Sequence, residues 1–352
     1  MQGESSTARD YREIVGAIHI HSKYSDGTKS IEDIARIAGE VGLDFLMVSD
    51  HMTLEPLHRG LEGFYGKTAV LIGYEVNDPD DKNHYLVFDV NEVLPSGIKA
   101  NEYVKLIKEK GGLGIIAHPD EIRTRLVKYP SYPWTDWHVD GYDGIEIWNH
   151  MSEWMESLSR WNMLKMAVSP RRVLKSPTGR ILQIWDEVNQ RRKVVGVGSI
   201  DVHAYPYRLG PLRITIFPYK VQFKAIRTHL LLTEPASGDF NALKKAIYRS
   251  LRGCHAFISN YRWGDARGFE FYLTNSSGKA VCGDEMPWTD DTTLVAKLPK
   301  WAEVKIIRNG RLMFSGKGKE FEIKALKPGL YRMEAFINKK GWIYSNHIRL
   351  IK

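Results

Sequence analysis

Two histidines one residue apart, His19-x-His21, begin a series of side chains suited to gripping a divalent metal. Ser25-Asp26-Gly27 follows closely, then Asp50-His51, Glu75, His84, His118 and Asp201-x-His203. In an extended chain residues i and i+2 point to one side, so the two imidazoles of His19 and His21 can hold one ion. The same holds for Asp201 and His203. A carboxylate such as Glu75 has two oxygens and can bridge two ions. Imidazole and carboxylate together suit zinc, manganese or iron. Close-set metals bind an oxyanion and lower the pKa of coordinated water from about 15.7 to roughly 7, which is the chemistry of a hydrolase. The remaining histidines, His58, His138, His150, His229, His255 and His347, stand without such neighbours and read as structural.

The elements that must position these residues follow from periodicity. Apolar runs at Ile14–Ile18, Phe45–Val48, Ala69–Ile72, His84–Phe88, Gly114–Ala117, Gly144–Trp148 and Val194–Gly198 read as buried strands. Between them, Ser30 looks like the N-cap of a helix over Ile31–Ala38 closed by Gly42. Asn101 reads as the cap of a helix over Glu102–Lys110, and Gln183–Arg192 has helical spacing. A further helix is predicted over Phe240–Arg252. The alternation argues for a parallel sheet, closed as a barrel. In such sheets function sits at the carboxyl ends of strands, which is where His19, His21, Asp50, His51, Glu75, His118, Asp201 and His203 fall. After about Gly264 the helical spacing stops. Short alternating runs (Phe269–Leu273, Thr293–Ala296, Val304–Ile307, Phe321–Ile323, Tyr331–Phe336, His347–Ile351) are separated by turn residues. Asn309-Gly310 between two runs is a hairpin signal. This second region reads as a small antiparallel β-sandwich. The expected division is an N-terminal extension (1–13), a metallohydrolase domain (14–262) and the sandwich (263–352).

Composition narrows the class. The 352 residues carry a formal net charge of +8, with Lys and Arg spread thinly. That favours a solvated basic surface over nucleic-acid binding. The two cysteines, Cys254 and Cys282, form no C-x-x-C pair, which fits a reducing compartment. No apolar run is long enough to span a bilayer. The expectation is a cytoplasmic protein with no membrane partner.

The motifs also carry a family resemblance. Ile18-His19-Ile20-His21-Ser22 with Ser25-Asp26-Gly27 resembles the first motif of the PHP (polymerase and histidinol phosphatase) superfamily. Ser49-Asp50-His51 resembles the second, Gly73-Tyr74-Glu75 the glutamate element, Ala117-His118-Pro119 the third, and Gly198-Ser199-Ile200-Asp201-Val202-His203 the fourth. The tail Gly341-Trp342-Ile343-Tyr344-Ser345-Asn346 is similar to that of stand-alone members of the CehA/McbA-like group. The resemblance implies a distorted (β/α)7 barrel with two or three divalent metals. It would assign His19, His21, Glu75 and Asp201 to a first ion. A second would lie between Glu75, His84 and His118, and a third between Asp26, His51 and His203. Asp50 and Glu146 would orient ligands rather than bind. The implied activity is phosphoester hydrolysis by metal-activated hydroxide on a small phosphorylated substrate. Arg171, Arg172, Tyr205 and Arg208 are candidates to contact the phosphate, Arg208 the best placed. Two alternatives stand beside it. One is a carboxyl-ester or carbamate hydrolase with an aromatic pocket from Trp134, Trp137, Trp148, Trp154, Trp161 and Trp185. The other is a non-catalytic PHP-like binding module. The β-sandwich would either cap the barrel or mediate oligomerisation.

Overall fold

A computed structural model describes residues 11–123, 130–159, 161–209, 212–233, 238–324 and 326–352. The strands are β1 (Arg12–Ile20), β2 (Phe45–His51), β3 (Gly63–Tyr65), β4 (Thr68–Val76), β5 (Tyr85–Phe88), β6 (Leu113–Ile116), β7 (Gly144–Asn149), β8 (Val195–Ser199), β9 (Pro206–Leu209), β10 (Leu212–Thr215), β11 (Ile226–Leu232) and β12 (Ala256–Asn260). The helices are α1 (Ile31–Glu40), α2 (Glu55–His58), α3 (Ala100–Glu109), α4 (His150–Ser157), α5 (Met163–Val168), α6 (Gly179–Arg191), α7 (Tyr219–Gln222) and α8 (Phe240–Arg252). Ser30 caps α1 as expected, its side chain accepting from the Asp33 amide at 3.3 Å. The chain is thus mixed α/β. Among the described residues no helix is long and apolar enough to cross a membrane.

Strands β8, β7 and β6 pair in parallel, as do β4, β2 and β1. Between the two groups β5 is antiparallel to both β4 and β6, which departs from the expected parallel sheet. The reason is length: Asn77–His84 is too short for the crossover of about a dozen residues that a parallel return needs. The row then turns back on itself. The segment after β8 bonds to β1 through Ile200 N–H to the Ile18 carbonyl (3.2 Å) and His21 N–H to the Val202 carbonyl (3.1 Å). Alternation along the strands sorts their side chains into two cores. Ile18, Met47, Leu71, Leu86, Ile115, Val197 and Leu230 share one, closed by Leu243, Ile247 and Leu251 of α8. Val15, Leu46, Ile72 and Val87 pack outward against α1, α3 and α6.

Helix α3 begins before the expected Asn101 cap. Lys99 holds the cap position and Asn101 lies in the first turn, because Ala100, Tyr103, Val104 and Ile107 form the buried face.

The later strands are β13 (Glu270–Asn275), β14 (Gly278–Val281), β15 (Glu285–Pro287), β16 (Thr293–Arg308), β17 (Arg311–Ile323), β18 (Gly329–Ile337), β19 (Lys340–Ser345) and β20 (Ile348–Ile351). The runs Thr293–Ala296 and Val304–Ile307 belong to one long strand, β16. Its first part pairs with β13 and its second with β18. Asn309 and Gly310 close the β16–β17 hairpin with φ of 50° and 75°, the left-handed pair that a two-residue turn requires. Hydrogen bonds cross the boundary expected at residue 263, since β12 pairs with β19. The Asn346 side chain extends this union: it accepts from the Gly196 amide (2.8 Å) and donates to the Gly196 carbonyl (2.9 Å).

Candidate metal centre

The end of β1 is not a simple extended strand. Its register with β2 shifts between Ile18 and Ile20, and His19 has φ of 67°. His118 (27°) and Asp201 (51°) are also left-handed. Non-glycine residues hold such a conformation at a cost of about 1–3 kcal/mol each, and only where the surroundings over-determine it. Here the kinks aim side chains from separate strand ends at one point. His19 and His21 still face together, with ring centroids 5.1 Å apart.

Four overlapping groups of donors result, each with its atoms within 4.8 Å of one another: His19, His21 and Glu75; His19, His118 and Asp201; Glu75, His84 and His118; and His21, Asp26, His51 and His203. All nine predicted residues are therefore brought together. The spacing distinguishes a metal cage from a hydrogen-bonded cluster. His21 Nε2 lies 3.3 Å from Glu75 Oε2 and 3.4 Å from Asp201 Oδ1, and His19 Nε2 lies 3.4 Å from Asp201 Oδ1. Donors about 2.0–2.1 Å from a tetrahedral ion stand roughly 3.3 Å apart. Neither ring nitrogen of the fully buried His21 has a hydrogen-bond partner among the described residues, an arrangement that is costly unless a ligand satisfies it. The donor set fits a divalent metal.

Outer partners set the imidazoles' orientation. His19 Nδ1 lies 2.8 Å from Glu146 Oε1, leaving Nε2 turned to the centre. His118 Nδ1 lies 3.2 Å from the Tyr132 carbonyl and His203 Nδ1 3.2 Å from the Asp201 carbonyl, with the same effect. Asp50 accepts from the Ser22 amide, the Ser22 hydroxyl and the Ser25 hydroxyl, so it fixes the loop that presents Asp26. Asp50 and Glu146 thus hold a candidate donor or the loop that carries one, and join none of the donor groups among the described residues. Glu146→Gln should lower metal affinity about 10–100-fold. Glu146 Oε2 accepts from both the His118 amide and Asn149 Nδ2, and an amide cannot accept at both oxygen positions. Metal titration of the variant, with unchanged affinity as the contrary result, checks this.

Charge balance favours bound cations. Burial lowers the pKa of His21, but the carboxylates of Asp201 and Glu75, 3.4 and 3.3 Å from its Nε2, outweigh it and raise the group to about 9. Burial likewise opposes His84, while Glu75 and then Asp81 raise it to about 10. Burial raises Glu75 and Asp201, yet the surrounding histidines hold both well below the usual carboxylate range. Metal must therefore displace protons from His21 and His84 at neutral pH. Apparent affinity should rise with pH up to about 9–10, with proton release measurable by calorimetry in buffers of different ionisation enthalpy. In the metal-free protein the sign of the stability effect is opposite. A raised histidine pKa gives stability that is full below about 6.5 and is lost as pH rises through about 9.

The side exposed to solvent is that of Asp26 and His51, whose side chains are 41% and 33% exposed, against 0–1% for His19, His21 and Glu75. Tyr205 stands at this opening. Its hydroxyl donates to Asp26 Oδ2 at 2.6 Å and its ring stacks on His203. Arg208 lies on β9, and its side chain is outside the described residues. Arg171 donates instead to the Lys224 carbonyl. The tryptophans do not form one aromatic pocket. Trp134, Trp148, Trp154 and Trp185 are buried in cores, and Trp161 is 99% exposed. Among the described residues none of the six histidines read as structural joins a donor group. Two contributors were not among the expected residues. Asp81 lies 3.5 Å from His84 Nε2, and the Tyr132 ring packs against His84. A carboxylate three residues before His84 was the available clue to the first; nothing local marked the second.

The chain is 30% identical over 115 residues to an uncharacterized protein of Methanocaldococcus jannaschii; the match takes in 29% of this chain and 66% of that protein, just under two thirds of its length. No protein-family model matches the sequence. Among solved structures the chain is similar to a two-domain protein of Bacteroides vulgatus containing a predicted PHP-like metal-dependent phosphoesterase. That similarity covers 97% of this chain and 96% of the other, at 13% identity and a TM-score of 0.47. It is also similar to a candidate metal-dependent phosphoesterase of Bifidobacterium adolescentis, over 57% of this chain and 92% of that one, at 16% identity and a TM-score of 0.34.

Proposed function

We propose that the chain is a metal-dependent hydrolase of the PHP type. In this reading the strand row closes as a distorted barrel and the C-terminal strands form a sandwich against it. The observation that carries the proposal is the convergence of nine donors, most of them from separate strand ends, on four overlapping groups, two of which contain Glu75. Two or three divalent ions fit these groups, and zinc, manganese and iron all suit the mixture of nitrogen and oxygen. When bound, such ions supply Lewis acidity and a nucleophile from water at neutral pH.

The bond we assign to this centre is a phosphoester on a small phosphorylated substrate. The chain's residues divide the work. The buried set of His19, His21, Glu75 and Asp201 fixes the charge of the centre and excludes water. The Asp26, His51 and His203 side admits substrate. Tyr205, hydrogen-bonded to Asp26, can swing its hydroxyl to a phosphoryl oxygen. Arg208 is the proposed second contact. The test is turnover by protein reconstituted with zinc, manganese or iron in turn. Phosphomonoester, phosphodiester and cyclic-phosphate hydrolysis is expected to exceed aryl-ester hydrolysis on the same preparation. Faster aryl-ester or carbamate cleavage would move the chain to that substrate class. Tight metal binding with no turnover of any panel member would leave a binding module.

A further inference from the structure

Cations that are scattered along the sequence are gathered by the fold. Arg171 and Arg172 lie on the short 3-10 turn Pro170–Arg172, and Lys175 follows it. Arg262 lies on the turn Tyr261–Trp263, Lys300 on β16, and Lys340 opens β19. Arg262 Nη1 donates to the Arg171 carbonyl at 3.3 Å, and Lys340 Nζ to the Arg172 carbonyl at 2.7 Å. The Gly341 amide donates to the Lys175 carbonyl at 2.6 Å, and Lys300 Nζ to the Trp263 carbonyl at 2.7 Å. Four separate segments thus meet with their positive groups together.

What is missing is the usual counter-charge. Elsewhere on the surface Lys220 pairs with Glu40, Arg252 with Asp89 and Arg267 with Asp44. Among the described residues none of Arg171, Arg172, Lys175, Arg262, Lys300 and Lys340 has a carboxylate within 4.0 Å. Burial, then Arg172 and Arg171, lowers the Arg262 pKa; burial, then Arg262, lowers that of Lys340. The carboxylate that acts on Lys340 is Glu153. It is engaged by Trp148 Nε1 and the Lys175 amide, and burial pushes it up to about 7. The cluster therefore holds like charges in place by backbone carbonyls and leaves them without an anion.

Flat rings alternate with these charges. The Arg262 guanidinium lies 5.0 Å from the centroid of the Trp263 ring, the Arg227 guanidinium lies 3.6 Å from that of Tyr261, and Trp301, next to Lys300, is 60% exposed. Cations spread over several segments match a run of phosphates better than one phosphate, and of these rings Trp301 is the exposed one that could stack on an unpaired base. A bilayer would instead call for apolar side chains among the cations. Ser176, Pro177 and Thr178, directly after Lys175, line a cavity with His118 and Glu146, and because Asp120, Glu121, Glu153 and Glu156 line it too, a phosphate backbone would stay on the basic face outside it. We propose that this face binds single-stranded nucleic acid through its phosphodiester backbone. The proposal does not depend on the hydrolytic reading, and it is tested without metal.

The experiment is fluorescence anisotropy with a fluorescein-labelled, mixed-sequence 20-nucleotide single-stranded DNA, in EDTA, across sodium chloride concentrations. Binding should weaken with salt at a slope of about −0.7 per phosphate engaged, so roughly −4 if all six cations take part. The triple variant R172E/R262E/K340E should lose at least about 100-fold at low salt and flatten the slope. The neutral variant R172Q/R262Q/K340Q should fall between, and circular dichroism reports on the folding of each. K105E/K317E/K324E, which alters exposed lysines elsewhere, should bind within about threefold of the parent. W301A should weaken binding several-fold without changing the slope. The proposal is overturned if the parent shows no salt-dependent binding, or if both charge-reversed variants lose equally, which would mark a net-charge effect. It is also overturned if phosphatidylserine vesicles bind as tightly as the oligonucleotide and lose binding in the same variant.

Discussion

Replacing Glu75 with Gln is expected to lower metal-dependent turnover by about 10³-fold or more and to strip metal from both sides of the centre. The size follows from what a metal supplies, several kcal/mol of charge stabilisation at about 1.4 kcal/mol per tenfold in rate. The position follows from geometry. Glu75 Oε2 faces His19 Nε2 (2.9 Å), His21 Nε2 (3.3 Å) and His51 Nδ1 (3.6 Å), while Oε1 faces His84 Nδ1 (2.7 Å) and His118 Nε2 (3.4 Å). One fully buried carboxylate thus serves five imidazoles. Gln keeps the shape, removes the charge and puts an amide nitrogen where an oxygen must face a donor. Metal content by elemental analysis should fall together with activity. Asp26→Asn, at the solvent-exposed end, should remove metal from its own side only. A Glu75→Gln protein that retained its full metal content and turnover would end the bridging assignment.

Asp186→Ala should destabilise the protein by about 3–5 kcal/mol, toward the lower value, without altering metal affinity. Asp186 on α6 accepts from Arg332 Nε (2.6 Å) and Nη2 (2.7 Å) and lies 2.7 Å from His347 Nε2. Arg332 is buried, so truncating its partner leaves a guanidinium in the interior with Glu334 as its remaining carboxylate. That remaining pair is why the lower value is expected. Asp186→Ala/Arg332→Met removes that pair but leaves the buried Glu334 without its Arg332 partner, so most of the loss should be recovered only in Asp186→Ala/Arg332→Met/Glu334→Gln, since a buried ion pair is weak evidence of net stability whereas half of one is strongly unfavourable. Urea unfolding of the two single variants and the double variant gives the coupling. If Asp186→Ala unfolds within about 1 kcal/mol of the parent, the network carries little.

Most donors of the centre were legible because they stand at carboxyl ends of strands, which announce themselves by short apolar runs; Asp26, in the loop after β1, and His84, just before β5, stand apart from that rule. Ser30, the helix Phe240–Arg252 and the Asn309-Gly310 turn were legible for the same kind of reason: caps, periods and turn conformations are local. What escaped was set by distance along the chain. The Asp186 network joins residues 146 and 161 positions apart, and no period links them. The orientation of β5 was decided by the length of its connection, which the pattern of alternating elements overrode in the reading. The start of α3 moved because the buried face, not Asn101, fixed the first turn. The left-handed His19 was hidden as well: the spacing said that His19 and His21 share a side, but not that a backbone kink makes them converge. The basic face was obscured because four segments contribute to it, each with only one to three charges.

The Asn346 amide has a consequence for the order in which the protein is made. It completes the hydrogen bonding of Gly196, five residues before Asp201, yet it is separated from that glycine by 150 residues. On a ribosome, β8 emerges long before the group that caps its backbone. Unpaired buried amides are unfavourable, so the strand presenting Asp201 and His203 gains its final support late in synthesis.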